Sequence, residues 1–184
     1  MLKLHCWKTI NVQKQYGHDR IFLFSAIFVM MVFSLFYISM TAYKDSPVSD
    51  QLFPLFVLVF LMIYPAHKLL HFLPLIRYRK RLRFSIEKQF KVLPVLAMRI
   101  HEPILKSRYL VALVVPFIVL NSILIIGAII FPAFRHYFSI LLAYHCGLCL
   151  IDLLYVKHLI RSPKKALIEE TDKGFEILIP VASK

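Results

Sequence analysis

The chain has 184 residues, 59% of them hydrophobic and 4 of them glycine, with a mean hydropathy of +0.69. A soluble domain of this size could not hide so much apolar surface in one core, so the composition excludes an ordinary soluble globule and points to an integral membrane protein. The formal charge of +13 raises nucleic acid as a partner, but the cations border apolar stretches and do not alternate with exposed aromatics, so no nucleic acid is expected.

The N-terminal segment carries Lys3, Lys8, Lys14 and Arg20, and Cys6 in a reducing context. Four apolar stretches follow, at about 21–43, 52–76, 109–131 and 138–160, each long enough to cross roughly 30 Å of hydrocarbon. The first lacks the short apolar core and small-residue cleavage site of a secretory signal and reads as a retained anchor. The fold expected is all-α: a single membrane domain over 1–184 with four transmembrane helices, a basic middle loop at 77–108 and a tail at 161–184.

Lys and Arg crowd the N-terminal segment, the middle loop and the start of the tail, whereas the two short loops near Lys44 to Gln51 and Pro132 to Tyr137 hold one each. By the positive-inside rule both termini and the middle loop are cytoplasmic, in a multi-pass protein of the cell membrane. The cations then meet anionic lipid headgroups, each worth about 1 kcal/mol near the surface.

In the second stretch, Pro65-Ala66-His67-Lys68-Leu69-Leu70-His71 sets two histidines four residues apart with a lysine between them. Residues i and i+4 share a helix face, so both imidazoles can point at one small object, as in a zinc-binding His-Glu-x-x-His helix. Lys68 stands where that motif has glutamate.

The middle loop intersperses apolar residues with charges, and Pro94 interrupts the run Val92 to Ile100; a short amphipathic surface helix or a small hairpin both fit. His101 and Glu102 read as a solvated boundary ahead of the third stretch, in which Asn121 reads as an interhelical hydrogen-bonding residue. In the fourth stretch, Cys146-Gly147-Leu148-Cys149 has C-x-x-C spacing without a thioredoxin-like context, and small residues at a helix contact explain it better. His145, Cys149 and Asp152 recur at i, i+4 and i+7 as a polar seam, with packing the favoured role for His145 and Cys149. His5, His18, His136 and His158 have no convergent partner by spacing. In the tail, Phe175 to Val181 has the makings of a strand after Gly174.

Counted at 1.5 Å per residue, His67 and His71 lie roughly 8 to 14 Å inside the cytoplasmic end of their stretch, and Asp152 roughly 12 Å inside the same end of its own. An ionised group at that depth costs on the order of 2.5 to 3.5 kcal/mol unless it is paired. A divalent cation satisfies all three, because zinc accepts histidine nitrogen and aspartate oxygen and leaves a fourth position open. His67, His71 and Asp152 are therefore candidate zinc ligands. The alternatives are a Lys68 to Asp152 ion pair in place of metal, and a His67 and His71 pair that only hydrogen-bonds across helices or sits near the interface.

The sequence PAHKLLHFLP, His101-Glu102-Pro103 leading through Lys106-Ser107-Arg108 into the third stretch, and Asp152-Leu153-Leu154-Tyr155 followed by SPKKALIEETDKGFEI resemble the putative zincin peptidases of bacteria, membrane proteins related in design to site-2 proteases. The resemblance implies zinc held by His67, His71 and Asp152, with the general-base glutamate at the position of Lys68. A protonated lysine offers no acceptor and weakens binding of a dication, so the expectation is a zincin-like protein without hydrolytic activity that still meets a membrane-protein partner or substrate. A noncatalytic membrane scaffold or regulator is the alternative, followed by an active zinc metallopeptidase and, more weakly, a metal or proton carrier.

Overall fold

The structure, a computed structural model, describes residues 4–44, 46–76, 82–89, 93–100, 103–171 and 174–180. It opens with strand β1 (Leu4–Ile10) and a single helical turn, α1 (Val12–Tyr16), whose start is capped by Asn11: its side-chain carbonyl accepts from the Lys14 amide at 2.9 Å. Gly17, at φ +80°, makes the turn into α2 (His18–Tyr43) in a conformation that other residues avoid.

Three more long helices follow: α3 (Phe53–Phe72, prolonged by a 3-10 turn to Ile76), α4 (Lys106–Ile130) and α5 (Arg135–Ile160). All four are long and apolar enough to cross a membrane. Helices α2, α4 and α5 each begin three residues before the stretch read from hydropathy. The added residues are the polar triplets His18-Asp19-Arg20, Lys106-Ser107-Arg108 and Arg135-His136-Tyr137, which continue the same helices beyond the apolar part. Hydropathy marks where a helix becomes greasy, and hydrogen bonding marks where it starts.

The all-α expectation is corrected by six strands among the described residues. β1, β4 (Ile104–Leu105), β5 (Leu167–Thr171) and β6 (Gly174–Pro180) form an antiparallel sheet in the order β1-β6-β5-β4. β2 (Leu82–Gln89) and β3 (Leu93–Ile100) pair separately, Leu82 opposite Ile100 and Gln89 opposite Leu93, so the middle loop holds the hairpin alternative. His101 and Glu102 lie outside the described residues. The strand expected from Phe175 is β6, whereas β1 lies in the basic N-terminal segment, for which the sequence predicts no element.

The larger sheet gathers the start of α2, the start of α4 and the end of α5 at one end of the helices. Phe175 and Ile177 on β6, Ile168 on β5 and Ile10 on β1, each no more than 1% exposed, form one cluster with Leu159 of α5 and Tyr109 of α4. Each such side chain contributes about 1.5 to 3 kcal/mol by leaving water. Gly174 has no room for a side chain, because an added Cβ would fall 2.0 Å from the Ile10 carbonyl oxygen. Lys106 is buried and donates to the carbonyls of Ser162 (2.6 Å) and Ile160 (3.4 Å), placing a cation on the C-terminal end of α5.

At the other end the Ser49 amide donates to the Ala133 carbonyl at 3.0 Å, and Arg135 Nη1 donates to the Ser46 carbonyl at 2.5 Å. Midway along, Ser25 of α2 donates to the Gly147 carbonyl of α5 at 3.3 Å, and a Cβ on Gly147 would meet Val29 Cγ2 at 2.5 Å. The small-residue reading of the Cys146-Gly147 region describes this contact. Helix α3 lies against both α4 and α5, which brings the second and fourth apolar stretches together.

Candidate metal centre

The site grows from α3. Pro65 lacks the N–H that would bond the Leu61 carbonyl, yet the helix continues through it, and two residues on it presents His67 inward at 3% exposure. His71, one turn later, repeats the direction. Asp152 of α5 completes a compact triangle: His67 Nε2 and His71 Nε2 are 3.0 Å apart, and Asp152 Oδ2 lies 3.2 Å from the first and 3.4 Å from the second.

The neighbours of each ring fix what those three atoms are. The Ala112 carbonyl, 2.8 Å from His71 Nδ1, can only accept, so His71 carries its proton on Nδ1 and turns a bare Nε2 to the triangle. Ala112 is four residues before the buried Pro116 of α4, which has no N–H to give it. The proline therefore leaves free the carbonyl that orients the histidine.

His67 is set by a longer relay. Asn121 directs its Nδ2 at Cys146 Sγ (3.6 Å) and its Oδ1 at His145 Nδ1 (2.7 Å), so His145 is protonated on Nδ1 and accepts on Nε2. His67 Nδ1 lies 3.2 Å from that Nε2 and donates to it. Its own Nε2 is then also bare.

With both rings neutral, two imidazole lone pairs and one carboxylate oxygen converge with no donor among them, whereas a proton on either Nε2 would donate to Asp152 Oδ2. Three acceptors at 3.0 to 3.4 Å repel one another unless a cation stands between them. The edges match the ligand spacing of a tetrahedral ion with bonds of about 2.0 to 2.1 Å, which is roughly 3.3 Å. The donor set fits zinc, and the Ala112 carbonyl on His71 is the outer-shell partner that a zinc-binding histidine ordinarily has, while His67 meets the His145 ring in that place.

Lys68 does not join the site. It is exposed, with Nζ 5.9 Å from the centre of the Tyr64 ring, and the Lys68 to Asp152 ion pair considered from the sequence does not form.

The sequence favours packing for His145 and Cys149 and interhelical hydrogen bonding for Asn121; Asn121 does bond across helices, and His145 joins it in the relay to His67. Cys149 Sγ lies 3.4 Å from His145 Nε2 and 3.8 Å from His67 Nδ1. The signal was the i, i+4, i+7 seam on α5, which needed its facing helices before it could be read. His136 and His158 have partners after all, Asp50 Oδ1 at 3.1 Å and the Tyr16 hydroxyl at 3.4 Å, both at helix ends away from this centre.

A family model described as putative zincin peptidase matches residues 60–167, the stretch from the middle of α3 to the first residue of β5 that contains His67, His71 and Asp152. No curated protein and no solved structure matches the chain.

Proposed function

This chain belongs to the putative zincin peptidase family, and we propose that it is a membrane-embedded zincin-like protein that holds zinc through His67, His71 and Asp152 without hydrolysing peptides. The observation that carries the metal is the convergence of His67 Nε2, His71 Nε2 and Asp152 Oδ2 within 3.4 Å of one another. The observation that argues against hydrolysis is Lys68, an exposed cation that supplies no acceptor at the base position.

Zinc in this triangle supplies a Lewis acid. The protein's own groups hold and orient it: His67 and His71 bind through Nε2, and Asp152 provides the negative charge that offsets part of the ion's own in apolar surroundings. Among the described residues, Asp152 is the sole carboxylate in the His/Cys/Asp clusters, so no second acidic group stands ready to take a proton there.

In this reading the four long helices cross the membrane and the sheet end faces the cytoplasm. The clustering of β1, β4, β5 and β6 at one end supports placing the N- and C-terminal segments on one side, and their cations suit an anionic lipid surface. A membrane-protein partner is then engaged by binding and not by cleavage.

The test is metal analysis of the purified full chain beside His67→Ala, together with a Lys68→Glu variant assayed against unfolded transmembrane peptides. We expect one zinc per chain, its loss in His67→Ala, and no cleavage by the natural sequence. Zinc-dependent cleavage by the unmodified chain would refute the inactive reading, and absence of zinc from a folded chain would refute the metal centre.

A further inference from the structure

We propose that His67 Nδ1, His145 Nε2 and Cys149 Sγ form a second metal site, selective for a soft monovalent cation of the copper(I) or silver(I) class. The three donors are 3.2, 3.4 and 3.8 Å apart, and their residues are 3%, 0% and 1% exposed. Bonds of about 2.0 Å to nitrogen and 2.3 Å to sulfur around one ion put such donors roughly 3.3 to 3.6 Å apart. The long edges are the two that involve sulfur, as the larger radius requires.

Donor chemistry selects the ion. A thiolate with two imidazoles is a soft set that favours copper(I), whereas the neighbouring triangle of two imidazoles and a carboxylate is harder. A monovalent cation with the Cys149 thiolate is neutral, the state that apolar helices favour. His145 is already prepared, because Asn121 holds its proton on Nδ1 and leaves Nε2 bare. On binding, the thiol proton of Cys149 is released to solvent.

The two sites share His67, and a neutral imidazole has one lone pair. With the proton on Nδ1, Nε2 faces His71 and Asp152, and the harder set is complete. With the proton on Nε2, that N–H donates to Asp152 Oδ2 across 3.2 Å, and Nδ1 completes the softer set. A soft cation therefore excludes a hard one without any movement of the backbone. This exclusion rests on the zinc reading above, whereas the soft site does not.

The experiment titrates silver(I) into the full chain in detergent, in a Cys6→Ser background that removes the exposed thiol, with and without bound cobalt(II) as a coloured stand-in for zinc. We expect one silver(I) that disappears in Cys149→Ser, survives in Cys146→Ser and His71→Ala, and erases the cobalt(II) visible bands as it saturates. Silver(I) affinity unchanged in Cys149→Ser overturns the site, as does equal loss in Cys146→Ser. Cobalt(II) bands that persist at silver saturation overturn the exclusion. If Cys149→Ser fails to fold, His145→Ala must show the same lost equivalent. A chain that binds silver(I) through Cys149 but no cobalt(II) refutes the zinc reading while the soft site stands.

Discussion

His71 Nδ1 donates across 2.8 Å to the carbonyl of Ala112, the acceptor that Pro116 leaves without a helix partner. A helix defect in α4 thereby sets the tautomer of a side chain on α3. Pro116→Ala restores the N–H, so the Ala112 carbonyl gains a competing donor. We expect helix content to be retained and zinc affinity to fall by about tenfold, the lower range for outer-shell changes, as measured by competition with a chelator. Unchanged affinity would show that His71 needs no orienting carbonyl.

Asn121→Leu removes the acceptor at the head of the relay and lets His145 carry its proton on either nitrogen. Zinc affinity should fall by about 10- to 100-fold, and Asn121→Asp, which keeps an acceptor at that position, should restore most of it. Equal affinities for the leucine and aspartate variants would sink the relay. The His145 tautomer, read by nitrogen NMR, separates this effect from loosened packing.

Asp152→Asn keeps the shape of the carboxylate but not its charge. Zinc retention should fall by more than about 100-fold, beyond the range of the outer-shell changes, with the helices intact by circular dichroism. Lys68→Ala, in contrast, alters an exposed group and should shift stability by no more than about 0.5 kcal/mol. A large loss of stability in Lys68→Ala would revive a structural ion pair for the lysine.

Gly147→Leu drives a side chain into Val29, whose Cγ2 would already lie 2.5 Å from a bare Cβ. Overpacking of this kind costs about 1 to 3 kcal/mol, so α2 should separate from α5 and the chain should unfold at lower denaturant or detergent stress. A variant as stable as the parent would show that α2 is not held at that contact.

Phe175→Ala should destabilise the sheet by about 3 to 5 kcal/mol, because its ring is 1% exposed and packs on both Tyr109 and Tyr155. Proteolysis of the N- and C-terminal strands, β1 and β6, checks it: rapid trimming of both is expected, and a protected sheet would contradict the packing. Zinc retention reports separately whether the sheet supports the centre.

The middle loop and termini show where the sequence stopped being legible. Strand β6 announced itself through Phe175, Ile177 and a preceding glycine, but β1 pairs with it across most of the chain, Ile10 opposite Phe175, and no local pattern encodes such a partner. The hairpin β2-β3 was one of two shapes its interspersed apolar residues allowed. The ligand candidates were readable because four-residue spacing on α3 and equal depth of Asp152 on α5 are local arithmetic. His145 and Asn121 were not, since their roles depend on which ring nitrogen faces which neighbour.

Composition and hydropathy by themselves determined four membrane-capable helices, because an apolar run of about 20 residues has few other stable fates. They also determined that two histidines share a face and that no carboxylate follows the first of them. Tertiary packing alone decided that His67, His71 and Asp152 meet at one point, that a proline on one helix frees a carbonyl for a histidine on another, and that His67 stands between two ligand sets. Proton positions on imidazoles are set by partners distant in the chain, and a linear sequence carries no record of them.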